Sequence, residues 1–450
     1  MEPDGSHAFS RGDKATGKYL SQHAEKEADA ARNLPLAAGP FAHALAIPAQ
    51  AEGSALAHRL SQVPTGPKGP TLIVAVINAG VEASDEVTQS NQRSLAAIDA
   101  HFERIQSLAP HIHAHAHPSG QLIVINRSDS TPLPRKQGVG LARKIGCDFL
   151  LGAMESGRLT TPWIHCSDAD TRLPADYFEQ AVPHLGDKAS ALLYRFRHRP
   201  DPHQPSTHSM AQEYESSLRY YVLGLRSARS PHAFHSVGSA LAIQAHSYAK
   251  VRGFPRKEAA EDFYILNKLA KLGTIQSLNG SPVEPSSRSS NRVPFGTGAA
   301  IQKRLSAPQD PLQVYHPRVF RYLQVWQAAL TEQKTQPSPN QNLQSTVREK
   351  AHARSEVEPH RLLEALKASE MLPRAERALQ GPASTIAQAI RDNLDSFRTL
   401  KLIHALRDSG LGQVPLAQAL DLAPFIALPE NAEALGAHKV CARLEELDYA

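Results

Sequence analysis

Two pairs of carboxylates offer the clearest chemistry in this chain. Asp168 and Asp170 stand one residue apart in WIHCSDADTRLP, where the apolar run Trp163 to Cys166 ends, and Glu261 and Asp262 are adjacent at the head of FYILNKLAKLG. Hard divalent cations take oxygen ligands, so aspartates delivered by a buried strand to a sheet edge can hold Mg2+ or Mn2+ against a diphosphate. The second pair begins a helix, where acids ordinarily serve as dipole caps. Upstream, RKQGVGLARKIG (Arg135 to Gly146) opens another helix with Gly138 and Gly140. A glycine turn at a helix start presents backbone N–H groups suited to a phosphate, with Arg143 and Lys144 as mobile positive charge. Arg288 and Arg292, in the polar segment Pro282 to Gly298, could reach a diphosphate from a loop. His111, His113, His115 and His117 alternate in HIHAHAH and would share one face of a strand. No cysteine or carboxylate accompanies them, which favours a solvated run over a transition-metal site.

These residues need elements to carry them. TLIVAVIN (Thr71 to Asn78) is apolar throughout, as expected of a strand covered on both faces in a parallel sheet. A helix is expected from about Asn91 to Leu108, on the stripe Leu95, Ile98, Phe102, Ile105, and a second strand at QLIVIN (Gln121 to Asn126), completing a βαβ unit. After the helix that follows Gly140 come the Trp163 strand, a helix over LPADYFEQAVPHL and a strand at Ala189 to Arg197. The proline-rich loop HRPDPHQPSTH has the composition of a flap. A helix at Ser216 to Arg226, a strand at Ser239 to Ile243 and the Glu261 helix, stopped by Gly273, complete the series.

At 450 residues, one large domain and a smaller one are expected. Met1 to Pro70, rich in Ala, Gly, Pro and His, reads as a flexible or peripherally docked leader bounded by GPKGP. A polar linker at Thr335 to Asn342 separates off Leu343 to Ala450, which is helical by pattern, with Ile386, Ile390, Leu394, Phe397, Ile403 and Leu406 on one stripe. That region carries no plausible site and is expected to pack, dimerise or recruit. Three scattered cysteines form neither a disulfide framework nor a zinc pattern. No apolar run spans a bilayer and no cleavable leader is evident, so a cytoplasmic protein is expected. The net charge of +5 favours anionic partners such as nucleotides, phosphorylated substrates or a membrane surface, while the lack of a basic run with aromatics argues against nucleic acid.

The order of these pieces from Thr71 to Gly298 resembles the family 2 glycosyltransferases. GVGLARKIG is similar to the family's Gly-x-x-x-Ala-Arg-Asn-x-Gly stretch with Lys144 in place of asparagine, Asp168-Ala169-Asp170 to its Asp-x-Asp metal motif, and GSALAIQAHSYAKVRGFP with Glu261-Asp262 to its glycine turn and acid pair. TLIVAVIN resembles the opening strand without the usual proline and aromatic before Asn78, and RSDST takes the place of the acidic turn after the second strand. The resemblance implies a GT-A (Rossmann-like) mixed α/β sheet flanked by helices over 71–334, with the helical domain at 343–450. It implies a nucleotide-diphosphate sugar donor, an acceptor hydroxyl, and Mn2+ or Mg2+ held by Asp170, with Asp168 sharing the metal or lying nearer the ribose; His316, in VYHPR, is a further candidate metal ligand. Asp129 would face the base or ribose, and Asn78 would help bind the donor. In an inverting reaction Asp262 would be the base, with Glu261 positioning it. The Gln-x-x-Arg-Trp signature of processive synthases is absent, which argues for single transfers. The alternatives are a catalytically inactive glycosyltransferase-like scaffold and a nucleotidyltransferase, although NAGVEAS after the first strand is a poor phosphate cradle.

Overall fold

A computed structural model describes residues 11–34, 40–186, 188–290, 292–293, 295–335 and 342–450. The chain divides into two compact units, one of Met1–Arg199, Ser236–Ser286 and Val293–Phe295, the other of Pro200–His235, Ser287–Arg292 and Gly296–Ala450.

The first unit is built on nine strands: β1 (His43–Ala49), β2 (Thr71–Asn78), β3 (Arg104–Ala109), β4 (Ile112–His117), β5 (Gly120–Arg127), β6 (Trp163–Cys166), β7 (Ala189–Leu193), β8 (Leu241–Gln244) and β9 (Thr274–Ser277). They form a single sheet in the order β3-β4-β5-β2-β1-β6-β8-β7-β9. β5, β2, β1 and β6 run parallel, while β4 and β8 run against their neighbours. Helices α1 (Lys14–Gln22), α2 (Ala55–Ser61), α3 (Asp85–His101) and α4 (Val139–Glu155) belong to this unit. So do α6 (Ala245–Lys250) and α7 (Glu261–Leu269). All eight residues of β2 are buried, which is why its sequence carries no polar alternation. This is the mixed α/β sheet flanked by helices that the sequence leads one to expect.

The leader expectation needs correction. β1 comes from inside Met1 to Pro70 and is the central strand, paired in parallel with β2 over His43 to Ala49 and with β6 at Leu45 and Ala46. Every residue of β1 is buried. Residues 11–34 are also fastened to the unit. Asp148 of α4 accepts hydrogen bonds from the Tyr19 hydroxyl at 2.5 Å and the Glu25 N–H at 2.8 Å, and Glu27 pairs with Arg127 at 2.6 Å.

Two helix expectations also change. α3 ends at His101, because Phe102 is extended (φ −119°, ψ 131°) and Ile105 lies on the edge strand β3. LPADYFEQAVPHL keeps only a 3-10 turn, Glu179–His184, with Pro183 inside it. His113, His115 and His117 lie on β4 rather than in a solvated run. His115 is buried against Asp99 at 2.9 Å, and His117 is buried with its Nε2 bonded to the Leu60 carbonyl at 3.0 Å.

The second unit is helical: α5 (His208–Ser227), α8 (Thr297–Ser306), α9 (Arg318–Thr335), α10 (Leu343–His352), α11 (Pro359–Ala368), α12 (Met371–Leu379), α13 (Ala383–Asn393), α14 (Ser396–Asp408), α15 (Leu416–Leu422) and α16 (Ala432–Tyr449), with a two-stranded ribbon of β10 (Gln313–Val314) and β11 (Val414–Pro415). Its core takes Tyr220, Phe320 and Trp326 together with Leu362, Leu402 and Leu444. The helical unit therefore includes α5, α8 and α9, and is not confined to 343–450 as the linear reading has it. Most of the expected linker, 336–341, lies outside the described residues. The apolar stripe from Ile386 to Leu406 is two helices, since Leu394 leaves helical geometry and Asp395 caps α14 by accepting the Arg398 N–H at 3.1 Å.

Candidate active site

The carboxyl ends of the parallel strands collect most of the residues singled out in the sequence. β6 ends at Cys166, and the chain turns through Asp168, whose carbonyl accepts the Thr171 N–H at 3.1 Å. Asp170 follows in this turn, half-buried, with Arg199 donating to its carbonyl at 3.2 Å. The strand itself is sealed. His165 bonds the Ala44 carbonyl at 3.1 Å, and burial pushes its ring down to about 3, so it is a neutral core group.

Arg143 organises the site from beneath. It lies near the start of α4 with only 2% of its side chain exposed. Its Nη2 donates to Asp168 Oδ1 at 2.8 Å and its Nε to Glu261 Oε1 at 3.1 Å. Nη1 donates to the carbonyls of Gly238 at 3.0 Å and Ser167 at 3.4 Å. Burial alone would lower the proton affinity of this guanidinium, but Asp168 and Glu261 together raise it well above its ordinary value. Arg143 is therefore fixed and inward-facing, a correction to its expected role as a mobile phosphate-binding cation. Lys144 is corrected likewise: it is buried, donating to Asp148 at 2.7 Å and to the Tyr19 hydroxyl.

Glu261 and Asp262 begin α7 after Ala260, which holds a left-handed conformation (φ 60°, ψ 20°) uncommon for a residue with a Cβ. Glu261 is buried on Arg143 and Asp262 is half-buried beside it. The Asp262 carboxyl is raised from 3.8 to about 7, first by burial and then by the neighbouring Glu261 charge. The Phe263 N–H, donated to Asp262 Oδ1 at 2.7 Å, and the Arg143 charge oppose that rise, while Asp168 adds to it. A carboxyl raised toward neutrality among charged groups is suited to taking up a proton at working pH.

The glycine turn is not an open phosphate cradle. The Gly140 N–H donates to the Lys257 carbonyl at 3.0 Å. A Cβ on Gly140 would stand 2.5 Å from the Pro255 carbonyl oxygen, and one on Gly138 would stand 3.1 Å from the Glu258 Cα. The glycines are required so that chain 255–258 can cross the start of α4. Asn78 is also turned into the fold, donating to the carbonyls of Ala49 at 2.9 Å and Val76 at 3.2 Å. Asp129 remains exposed after β5, accepting from Asn126 at 2.8 Å. Arg288, Arg292 and His316 all fall in the helical unit, where His316 Nδ1 accepts the Arg318 N–H at 3.1 Å.

Among the described residues no group of three or more His, Cys, Asp or Glu is gathered as a metal site. The donor chemistry at the β6 turn nevertheless fits a hard cation. Asp168 commits one oxygen to Arg143 and keeps its side chain 41% exposed, with Asp170 two residues on. Gly238 was missed in the sequence as a site residue. A Cβ there would lie 2.8 Å from Arg143 Nη2 and 3.5 Å from Asp262 Oδ2.

In this α/β unit a strand-end acid turn is joined through one arginine to a second acid pair. No family model matches the chain, and no curated protein matches it. Among solved structures it is similar to S. aureus TarS 1-349 in complex with UDP-GlcNAc, at 13% identity and a TM-score of 0.36, covering 82% of this chain and 92% of that one. It is also similar to a mannosyltransferase from Pyrobaculum calidifontis in complex with GDP-Man and Mn2+, at 16% identity and a TM-score of 0.35, covering 88% and 95%. Neither likeness is close enough to carry a ligand or an activity across. No helix among the described residues is long and apolar enough to cross a membrane.

Proposed function

We propose that this chain transfers a sugar from a nucleotide-diphosphate sugar to an acceptor hydroxyl, with inversion, one sugar per encounter. The observation that carries the reading is the shared guanidinium of Arg143, which joins Asp168 of the first acid pair to Glu261 of the second. Asp168 and Asp170 are the residues that would hold Mn2+ or Mg2+. A divalent cation there supplies charge neutralisation for the diphosphate as it leaves.

The remaining work falls to side chains of the first unit. Asp262 accepts the proton of the acceptor hydroxyl as that oxygen bonds to the anomeric carbon and the diphosphate departs with the electron pair of the broken bond. Its raised proton affinity suits that step near pH 7. Glu261, anchored by Arg143, fixes the start of α7 and with it the carboxylate of Asp262. Asp129, exposed after β5, would meet the ribose or base. Arg288, Arg292 and His316 belong to the helical unit and are given no role in this step.

The test is a panel of nucleotide sugars screened for thermal stabilisation and turnover in Mn2+, with Asp170→Ala and chelator as controls. Turnover is expected to fall by at least ~100-fold in Asp170→Ala, with the fold retained, and to vanish reversibly on chelation. Activity that survives both would defeat the proposal. A stable protein partner without any nucleotide-sugar binding would favour the scaffold alternative.

A further inference from the structure

Arg143 holds two acids that reach it from positions 25 and 118 residues away in the chain. We infer that Arg143 is a positioning residue that sets the placement of Asp168 relative to Glu261, so that the two ends of the site are assembled as one rigid unit. The inference rests on the transferase reading and goes beyond it, because it assigns this arginine no contact with donor or acceptor.

Geometry supports the assignment at each nitrogen. Nε serves Glu261, Nη2 serves Asp168, and Nη1 is shared by the Gly238 and Ser167 carbonyls, so all three nitrogens are committed to protein. The planar fork fixes directions as well as charge, which a lysine ammonium on a flexible stem cannot do. The Phe254 ring lies 5.8 Å from the guanidinium carbon. On another side Gly238 approaches so closely that a Cβ would stand 2.8 Å from Nη2 and 3.3 Å from Cζ. The side chain is thus confined by the end of β6, by the backbone before β8, by Phe254 and by the start of α7. Removing its fork while keeping its charge and displacing the intact arginine are separable perturbations, and a positioning role makes both harmful.

The experiment uses the full chain. Arg143→Lys keeps the charge and loses the fork, and Gly238→Ala keeps the arginine and pushes it aside. Each is expected to lower kcat about 10- to 100-fold with a much smaller change in KM for the donor. The double variant should be no worse than the poorer single one, since both act through the same group. Near wild-type turnover in Arg143→Lys, or losses that multiply in the double variant, would overturn the inference.

A second measurement is independent of turnover and of folding losses in any single variant. In urea unfolding, Asp168→Asn and Glu261→Gln should shift the midpoint non-additively in the wild-type background and additively in Arg143→Lys. Additivity in both backgrounds overturns the positioning role. If the wild type transfers no sugar, the transferase reading fails on its own account, and the unfolding cycle still decides whether Arg143 couples the two acids.

Discussion

Replacing Asp262 by Asn should cost activity and raise stability, and the gain should depend on pH in a calculable way. The carboxyl is raised from 3.8 to about 7 in the folded chain, chiefly by burial and then by Glu261. A raised acid favours folding where it is protonated, and that contribution is lost as pH rises from the unfolded value through the folded one. Between 3.8 and about 7 the unfolded chain is ionised while the folded carboxyl still holds its proton, so the folded state loses stability relative to the unfolded chain as pH rises. Linkage over this interval gives a ceiling of about 4 kcal/mol at pH 8, falling to roughly half a kcal/mol at pH 4. Because Asp262 is only half-buried, solvent screening reduces the expected effect at pH 8 to about 2 kcal/mol. Asparagine retains an oxygen for the Phe263 N–H, so the helix start should survive the change. Urea unfolding at pH 4, 6 and 8 reads the difference directly, and it needs no knowledge of the substrate. Asp262→Asn should be more stable than the wild type at pH 8 and close to it at pH 4, while kcat falls by at least ~100-fold. A loss of stability at pH 8, or a gain that does not vary with pH, would refute the reasoning.

Other substitutions separate structural from functional roles. Gly140→Ala places a Cβ against the backbone oxygens of Pro255 and Lys257, and should destabilise the chain by about 1–3 kcal/mol in urea unfolding. Lys144→Met leaves buried Asp148 with neutral donors only and should cost about 3 kcal/mol, part of which a second change, Asp148→Leu, should recover. Asn78→Ala removes two buried hydrogen bonds and should lower stability by about 2 kcal/mol, while the thermal shift produced by a bound nucleotide sugar is retained.

What could be read from the sequence follows burial symmetry. β2 and β5 are covered on both faces and carry the apolar runs LIVAVI and LIVI, and β6 adds Trp163 and Ile164, so these strands need no periodicity to be noticed. β1 is equally buried, but HALAIPA reaches that burial with three alanines and a proline, inside a stretch whose composition suggests a tail. The small side chains fit where helices press close on the sheet, and they leave little hydrophobic signal. Helix ends were misplaced for a related reason: Phe102 and Leu394 continue an apolar stripe in sequence while their backbones have already left the helix. Both acid pairs were legible as motifs. The partners of Arg143 were not, because they depend on which strand ends lie beside the start of α4. The glycines of that turn were noticed for the wrong reason, since a close crossing of two backbones and a phosphate cradle ask for the same residue type.

The placement of β1 also bears on how this chain can be cut. A fragment beginning at Thr71, after the apparent boundary GPKGP, would lack the strand that separates β2 from β6. Seven rungs of pairing along β2 would be left as an open, wholly apolar edge in the middle of the sheet, with β6 facing it across the gap. Such edges recruit strands from other molecules. The trimmed protein should therefore self-associate and precipitate even though both acid pairs and every other strand of the sheet are still encoded in it.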